Sequence, residues 1–507
     1  MDRQKMGKAT LTCILLAVIQ SAAFGEVHWN QFRGPDGNGN SKAKNLPVEF
    51  DETKNVRWKT TIHDQGWSSP VVWGDQIWLT SGRKDGTELF AICVDLESGR
   101  VVHDVKVLDV ANPRMEYSQN PHACSTPFIE QGRLYVHYGS YGTACIDTGS
   151  GKIIWKRQDL RCNHRVGPAS SPIVSDNTLF LQFDGVDVQY VAALNKNTGD
   201  TIWTRDREVH TDFANKLREQ GLTKSAVEGA LAEKPGDNRK SYATPTLIEY
   251  NGKQQLISPA AEVLFSYDPR TGNELWRVEY TGWAWNVACR PILANGLIYA
   301  TSGLGNGLFG VRPDGNGNVT TTHVAWSSRR GVPNMSSPIV VDDLLFMVAD
   351  GGGIVTCLNA LDGKQIWRKR LDGDHWASPV YVDGKIYFSS KQGEVVVLTA
   401  TRNEPNVLAR NQLNAEFIAS PAVANGSLVM RSTTHLYCFA NGYKRTPEQV
   451  AADVYPLRSD REKKTTKRKT EDEKLKVLGA QLKELVKNGK LTRQEAQELY
   501  RSAAGSK

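Results

Sequence analysis

Residues 268–276 read Asp-Pro-Arg-Thr-Gly-Asn-Glu-Leu-Trp, and this stretch decides the fold because variants of it recur along the chain. In each copy an Asp or Asn ends an apolar run, a glycine follows in the turn, and a Trp lies eight positions after the Asp or Asn. The Asp or Asn can bond the backbone of its own turn, and glycine tolerates a positive φ. Each copy therefore predicts a tight turn between two β-strands. The other copies run from Asp147 to Trp155, from Asn195 to Trp203 and from Asn359 to Trp367.

A second motif, usually Ser or Thr followed by Pro, recurs eight times and opens a run of alternating apolar residues. A glycine turn and another strand-like run follow, as at Gly384–Phe388. Most copies are 41 to 57 residues apart, and one gap is 73. A period in the forties is typical of four-stranded propeller blades. We therefore predict an all-β, eight-bladed β-propeller with four-stranded blades. The copies are Ser69-Pro70, Thr126-Pro127, Ser171-Pro172, Thr244-Pro245, Arg290-Pro291, Ser337-Pro338, Ser378-Pro379 and Ser420-Pro421.

The two ends of the repeat region complement each other. The eighth copy stops at Leu436–Phe439 without a Trp strand, and a spare one, Val56–Lys59, precedes the first copy. This pattern predicts that the N-terminal strand completes the last blade, which leaves no open sheet edge. The Trp side chains are large enough to fill the spaces between blades. The predicted structural tryptophans are Trp58, Trp155, Trp203, Trp276 and Trp367. The departures are His103 in place of Trp in blade 1, Arg312–Gly315 in blade 5 and Thr399–Pro405 in blade 7.

The N-terminus has the features of a secretory signal peptide. Arg3, Lys5 and Lys8 precede a short apolar run, Leu11–Val18, and small residues follow at Ala23–Gly25. The alternative is an uncleaved anchor, although the run is short for a bilayer. We expect an exported protein, periplasmic or extracellular, with no transmembrane segment in the mature chain. The predicted organisation is a signal peptide over 1–25, a lead segment over 26–56, the propeller over 57–442 with a helical insertion at about 207–234, a basic linker over 443–470 and a helical hairpin over 471–507.

The insertion and the tail carry helical patterns. Phe213 and Leu217 repeat at helical spacing within the insertion, and the alternative there is an elongated loop. The tail from Tyr443 holds 17 basic and 10 acidic residues, so it accounts for the whole net charge of +7. A basic tail on a neutral propeller does not indicate a nucleic-acid partner. Its two short helices are too small for a core of their own, so we expect docking or self-association.

Seven cysteines follow the predicted signal peptide. Four of them share one repeat position with Ala, Ser, Gly or Val in other blades, which indicates a need for a small side chain. Cys289 likewise takes a position that holds Ser or Ala in other blades. Cys124 and Cys162 have no such explanation, and a disulfide between them is one possibility in an oxidising compartment. The four that share a position are Cys93, Cys145, Cys357 and Cys438.

The loops that lead into the innermost strands are predicted to line one mouth of the channel, and their polar side chains are candidate ligand-binding residues. The alternative is that they bond neighbouring loops and water. No metal site is predicted, because His122, His137 and His164 lack a local ligand spacing. The candidate mouth residues are His122, Asn163, His164, Arg165, Arg239, Asn286, Arg290, Arg330, Asn334, Asp374, His375 and Glu416.

The stretch Asp268–Trp276 resembles the pyrroloquinoline-quinone (PQQ) repeat of quinoprotein alcohol dehydrogenases, and it is similar to the repeat of the β-barrel-assembly lipoprotein of outer membranes. Phe32–Gly39 resembles the leader of exported bacterial propellers of this repeat type. The resemblance covers roughly residues 29–440 and implies a propeller fold.

The resemblance implies two functions from different classes. The first is a non-catalytic scaffold that binds a protein or glycan partner in the cell envelope and needs no cofactor. The alternative is a dehydrogenase that oxidises alcohols or sugars with PQQ and Ca²⁺, for which Asp374 is the candidate base. The quinoprotein family also shows two adjacent cysteines, and this sequence has no such pair.

Overall fold

The computed structural model describes residues 28–113, 120–207, 221–226, 237–280, 284–446 and 449–450. The predicted signal peptide, the C-terminal hairpin and most of both the insertion and the linker lie outside the described residues. Among the described residues, no helix is long and apolar enough to cross a membrane.

The described chain forms eight sheets, each with four antiparallel strands that make one blade, which confirms the predicted eight-bladed β-propeller. In seven of the blades these four strands follow one another along the chain. Short apolar strands begin each blade, and mostly polar strands form its outer edge. Blades 1 to 4 consist of Val71–Trp73, Gln76–Gly82, Glu88–Asp95 and Val101–Asp109; Phe128–Glu130, Arg133–His137, Thr143–Asp147 and Ile153–Arg157; Ile173–Ser175, Thr178–Asp184, Gln189–Asn195 and Thr201–Asp206; and Thr246–Tyr250, Lys253–Pro259, Val263–Tyr267 and Glu274–Glu279.

The remaining blades repeat this order, and two of the eight sheets carry an added short parallel strand. Asn40–Ser41 pairs with the innermost strand of blade 7, and Gly317–Asn318 pairs with the outer strand of blade 4. A single helical turn, Thr320–His323, precedes the outer strand of blade 5. Blades 5 to 8 consist of Ile292–Ala294, Leu297–Thr301, Leu308–Val311 and Val324–Ser328; Ile339–Val341, Leu344–Val348, Ile354–Asn359 and Gln365–Arg370; Val380–Val382, Lys385–Ser389, Glu394–Thr399 and Val407–Gln412; and Ala422–Ala424, Ser427–Arg431, His435–Lys444 and Lys54–Thr61.

The ring closes between its two ends, as the sequence predicted. The strand Lys54–Thr61 pairs antiparallel with His435–Lys444, and Trp58 lies opposite Cys438 in this register. Blade 8 therefore combines one strand from the N-terminal side of the propeller with three from its C-terminal side. The hydrophobic core reaches across this junction, because residues of blades 7, 8 and 1 share one buried cluster.

Five outer-strand tryptophans join their blade to the next one. Trp58 of blade 8 donates from Nε1 to the Leu96 carbonyl oxygen of blade 1 at 2.9 Å. Its ring also lies against Gly99, where a Cβ would come within 2.6 Å of it. Gly99 has a φ of 70°, so the turn needs glycine for both its backbone and the space. The same bond to the following blade joins Trp155 to Lys196, Trp203 to Pro269, Trp326 to Ala360 and Trp367 to Thr401.

The Ser/Thr-Pro motif has a structural role in the centre of the ring. The backbone N–H of each motif Ser or Thr donates to the hydroxyl of the corresponding residue in the next blade, as Ser420 does to Ser69 at 3.0 Å. We call this ring of bonds the hydroxyl belt. The belt is interrupted at blade 5, because Arg290 has no hydroxyl group that could accept a bond from the Thr244 backbone N–H. The other links join Ser69 to Thr126, Thr126 to Ser171, Ser171 to Thr244, Arg290 to Ser337, Ser337 to Ser378 and Ser378 to Ser420.

Residues 28–41, the plug segment, lie across the inner strands. His28 stacks on Trp73 with ring centroids 3.8 Å apart, at the end of the strand that is farther from the Ser/Thr-Pro loops. Because the segment bonds to five different blades, it crosses the channel at this end. The bonds join Trp29 to Val72 of blade 1, Asn30 to Ile129 of blade 2, Phe32 to Arg290 of blade 5, Arg33 to Pro338 of blade 6 and Gly39 to Tyr381 of blade 7.

Candidate functional site

A pocket of about 440 Å³ lies at the mouth of the channel, at the end opposite the plug segment. All eight blades contribute to it through the loops that lead into their innermost strands, so it lies on the ring axis. We call it the mouth pocket. Its lining residues are Trp67, Asn120, Cys124, Arg165, Val166, Gly167, Pro168, Ala169, Tyr242, Asn286, Ala288, Leu304, Asn334, Met335, Trp376 and Ile418.

One repeat position supplies half of this lining. It lies two residues before the belt residue in every blade, and alternate residues of an extended chain point to the same side. The belt residue and the residue two before it therefore both face the channel. Sequence reasoning missed this position because it looked for polar side chains in these loops. The residues are Trp67, Cys124, Ala169, Tyr242, Ala288, Met335, Trp376 and Ile418.

Aromatic side chains dominate one side of the mouth pocket. The rings of Trp67 and Trp376 meet edge to face, with centroids 6.1 Å apart. Lys391 Nζ lies 3.9 Å from the centre of the Trp376 ring, and it also pairs with Glu416 at 3.6 Å. These contacts hold Trp376 in place and leave a rigid, mainly apolar wall.

Polar groups are few in the mouth pocket, and two of them point to a ligand. The side-chain carbonyl oxygens of Asn286 and Asn334 are buried and accept no hydrogen bond from any described residue. The loop of Asn334 is fixed, because its backbone N–H donates to Asp350 Oδ2 at 2.7 Å. A ligand with N–H or O–H donors would satisfy both oxygens.

A second pocket of about 590 Å³ lies between blades 2 and 3. It contains Asn163, His164 and Cys162. His164 Nε2 accepts a hydrogen bond from the Ser140 backbone N–H at 3.0 Å, and burial lowers its pKa well below the usual value. Burial likewise raises the pKa of the Cys162 thiol to about 12. Both groups are therefore neutral near pH 7, and the pair does not form an activated nucleophile.

The structure brings three of the predicted mouth residues, Arg165, Asn286 and Asn334, into the mouth pocket. Two more, Asn163 and His164, line the second pocket. Arg330 is exposed outside both pockets, Glu416 is partly exposed, and Arg239 lies in a short 3-10 turn. Recognition by these residues stays a prediction.

Two predicted mouth residues lie inside the wall instead of facing the channel. His375 is 1% exposed, and its two ring nitrogens lie 3.0 Å from the Ser389 and 2.9 Å from the Asp372 carbonyl oxygens. His122 is 4% exposed and packs against Tyr141. Their placement at the mouth is corrected accordingly, because both rings are buried.

Arg290 is corrected in the same way, because it is 3% exposed and points toward the plug segment. Its guanidinium donates to the Phe32 carbonyl oxygen, to Gln31 Oε1 at 2.9 Å and to Thr246 Oγ1 at 3.1 Å. A charge reversal at this position would therefore lower stability, and we assign Arg290 to anchoring the plug segment.

We expect Arg290→Met to lower the free energy of unfolding by about 2 kcal/mol or more, because hydrogen bonds from a charged group are lost in the interior. Arg330→Met is the matched control, since Arg330 is exposed, and its effect should stay within about 0.5 kcal/mol. Urea denaturation of both variants measures the difference. Equal losses would show that the anchoring bonds contribute nothing.

The predicted Cys124–Cys162 disulfide is absent, since both cysteines are free thiols. Cys124 Sγ lies 3.1 Å from the Pro121 carbonyl oxygen in the mouth pocket, whereas Cys162 contacts Ser140 Oγ at 3.4 Å in the second pocket. The two sulfur atoms therefore lie in different pockets and are not bonded to each other. The four cysteines at the shared repeat position lie opposite the Trp position of the outer strand in their blade, as their common place in the repeat predicts.

Asp374, the candidate base of the alternative function, is engaged with its own blade. Its carboxylate accepts from Gln392 Nε2 at 3.1 Å, and its backbone N–H donates to the Oε1 atom of the same side chain. Asp374 is not part of the mouth pocket lining.

His137 is buried with its Nδ1 2.8 Å from Thr143 Oγ1, and burial lowers its pKa to about 3.

Comparison with known proteins gives two groups of relatives. BamB, the outer membrane protein assembly factor of Salmonella typhimurium LT2, is 28% identical over 124 residues. This match covers 22% of the present chain and only 31% of that relative. The BamB structure from Moraxella catarrhalis is 13% identical, covers 76% of this chain and 99% of that one, and has a TM-score of 0.52.

The second group consists of enzymes. Quinohemoprotein alcohol dehydrogenase from Comamonas testosteroni is 12% identical, covers 83% of this chain and 81% of that one, and has a TM-score of 0.60. At these identities, both structural likenesses show the propeller fold alone. The fold is thus shared by proteins of different function.

The sequence pattern of one family extends over most of the propeller. The family described as outer membrane protein assembly factor BamB matches residues 48–207, 91–237 and 189–445. These overlapping matches reach from the strand that closes the ring to the end of blade 8, which confirms the resemblance seen in the repeat motifs. Since they cover well over half of the chain, the protein belongs to the BamB family of PQQ-repeat β-propellers.

Proposed function

We propose that the protein is an exported, non-catalytic scaffold that binds a protein partner in the cell envelope through the mouth pocket. The observation that carries this proposal is the apolar ring at the mouth, to which every blade contributes one residue. Leu304 and Met335 lie on this pocket and are each 42% exposed. Exposed apolar side chains around an aromatic pocket are typical of protein-interaction sites.

The polar groups of the mouth pocket suit a peptide segment. Asn286 and Asn334 offer two carbonyl oxygens that backbone N–H groups of a partner would satisfy. Trp67 and Trp376 offer flat faces for an apolar side chain. A glycan would be expected to meet more hydroxyl-bonding groups than this lining provides, so we favour a protein over a glycan partner.

The mouth pocket does not fit a calcium-bound quinone. Calcium takes six to eight oxygen ligands, usually including carboxylates. The described residues of the lining include neither Asp nor Glu, and Asp374 lies outside it. Membership of a family described by an outer-membrane assembly factor also favours a partner in the envelope, although that description belongs to the relatives.

Site-specific photo-crosslinking in cells of the source organism tests the proposal. A photoreactive residue in place of Met335 should form an adduct with a protein partner. The matched control is the same substitution at Ile202, which is 50% exposed on the outer strand of blade 3 and should form none. Adding Leu304→Asp should reduce the adduct at position 335 about tenfold, since it places a charge in the apolar contact. Equal adducts at both positions, or none at position 335, would contradict the proposal.

A further inference from the structure

Arg33 places a charged group inside the channel with only part of its hydrogen bonds made. It is 2% exposed, and its NH2 atom donates to the carbonyl oxygens of Asn38 at 2.7 Å and Pro338 at 2.6 Å. Its Nε and NH1 atoms are buried and have no hydrogen-bond partner among the described residues. Leaving charged N–H groups without acceptors in the interior is costly.

Arg290 brings a second guanidinium to the same place. Both side chains lie against one turn of the plug segment, because a Cβ on Gly37 would collide with the Arg290 guanidinium and a Cβ on Gly39 would lie 2.7 Å from Arg33 NH2. Burial, and to a smaller extent the nearby charge of Arg33, lower the pKa of Arg290 to about 9. The two cations are therefore close enough to repel each other.

No carboxylate balances these two charges. The hydrogen-bond partners of Arg33 and Arg290 are carbonyl oxygens, one amide oxygen and one hydroxyl, and neither arginine has an ion pair with a described residue. Burial lowers the pKa of Arg33 to about 9 as well, yet both side chains stay protonated near pH 7. Two adjacent buried cations, one of which has free N–H groups, favour an anion with several acceptor atoms.

Arg290 lies close to residues that line the mouth pocket. Cys289 precedes Arg290, and its Sγ atom lies 3.6 Å from the Asn334 carbonyl oxygen. Asn334 and Ala288, which precedes Cys289, both line the mouth pocket. The guanidiniums therefore lie just beneath the mouth pocket, between it and the plug segment.

We propose that Arg33 and Arg290 together bind a small oxyanion inside the channel, beneath the mouth pocket. The anion accepts the N–H bonds that Arg33 does not make within the protein and screens the repulsion between the two arginines. It thereby stabilises the plug segment against the inner strands. This site is separate from the proposed partner contact, so either proposal can fail alone.

Isothermal titration of the full mature chain with sodium sulfate, at constant ionic strength in a gluconate buffer, tests the site. We expect saturable binding of one sulfate per chain, and Arg33→Met should weaken it at least about tenfold. Arg431→Met is the matched control. Arg431 is also buried with a free Nε, but it bonds to Ser68 and lies against Gly66 instead of the plug segment. This control should bind sulfate like the wild type.

Absence of saturable binding to the wild type would overturn the proposal, as would loss of binding in Arg431→Met with retention in Arg33→Met. Should Arg33→Met not fold, wild-type crystals soaked in selenate decide. An anomalous peak within hydrogen-bond distance of both guanidiniums supports the site. A peak elsewhere only, or none, overturns it.

Discussion

Deletion of Glu26 to Thr61 is expected to make the propeller aggregate. The deletion removes the strand Lys54–Thr61, which is the only partner of the outer edge of His435–Lys444 in the described structure. It also removes the Trp58 bond to Leu96 that joins blade 8 to blade 1. An unpaired apolar edge pairs readily with other chains.

Size-exclusion chromatography and thermal unfolding measure this effect. Truncation after Thr446 is the control, because it keeps all of the strand His435–Lys444 and should leave a monomer with an unchanged unfolding midpoint. An N-terminal deletion that stays monomeric and equally heat-resistant would show that ring closure does not depend on this strand.

Trp276→Ala is expected to lower the free energy of unfolding by about 3–5 kcal/mol, the range for removing a large side chain from a core. Trp276 is fully buried, and its Nε1 donates to Gln255 Oε1 at 2.8 Å. Ser266 Oγ also donates to that oxygen at 2.8 Å. The substitution therefore leaves a cavity and weakens a buried polar network.

His103→Ala is the matched control, because His103 occupies the same repeat position in blade 1. It lies opposite Cys93 as Trp276 lies opposite Ser266, but it is only partly buried and stacks on Trp78 of its own blade. Its replacement should cost much less. Similar losses in the two variants, measured by chemical denaturation, would mean that burial at this position does not determine stability.

The fold was predictable because its determinants are local and repeated. The turn after Asp268 and the Trp that follows it lie within nine residues, and the same short pattern returns in other blades. Ring closure was predictable for a related reason, since the spare strand at Trp58 matched a strand missing from blade 8. Each inference needed only strand spacing and turn chemistry.

The site was less predictable because it depends on which way side chains point. Arg290 and His375 stand in the predicted loops, but one points toward the plug segment and the other into the wall. No short sequence pattern predicts the path of the plug segment across the channel. The bonds between this segment and the blades join residues about 40 to more than 300 positions apart. The lining position two residues before the belt could have been found from the sequence, because it recurs at a fixed place before every Ser/Thr-Pro motif, from Trp67 in blade 1 to Ile418 in blade 8.

The claim that this propeller binds and does not catalyse is tested most directly by quinone-dependent dye reduction. The purified protein is given PQQ, Ca²⁺ and a range of alcohols and aldose sugars. Because the mouth pocket lining holds no carboxylate for calcium, we predict no turnover above a protein-free blank. Saturable turnover that is lost in Asp374→Asn would contradict the account and assign the protein to the dehydrogenases.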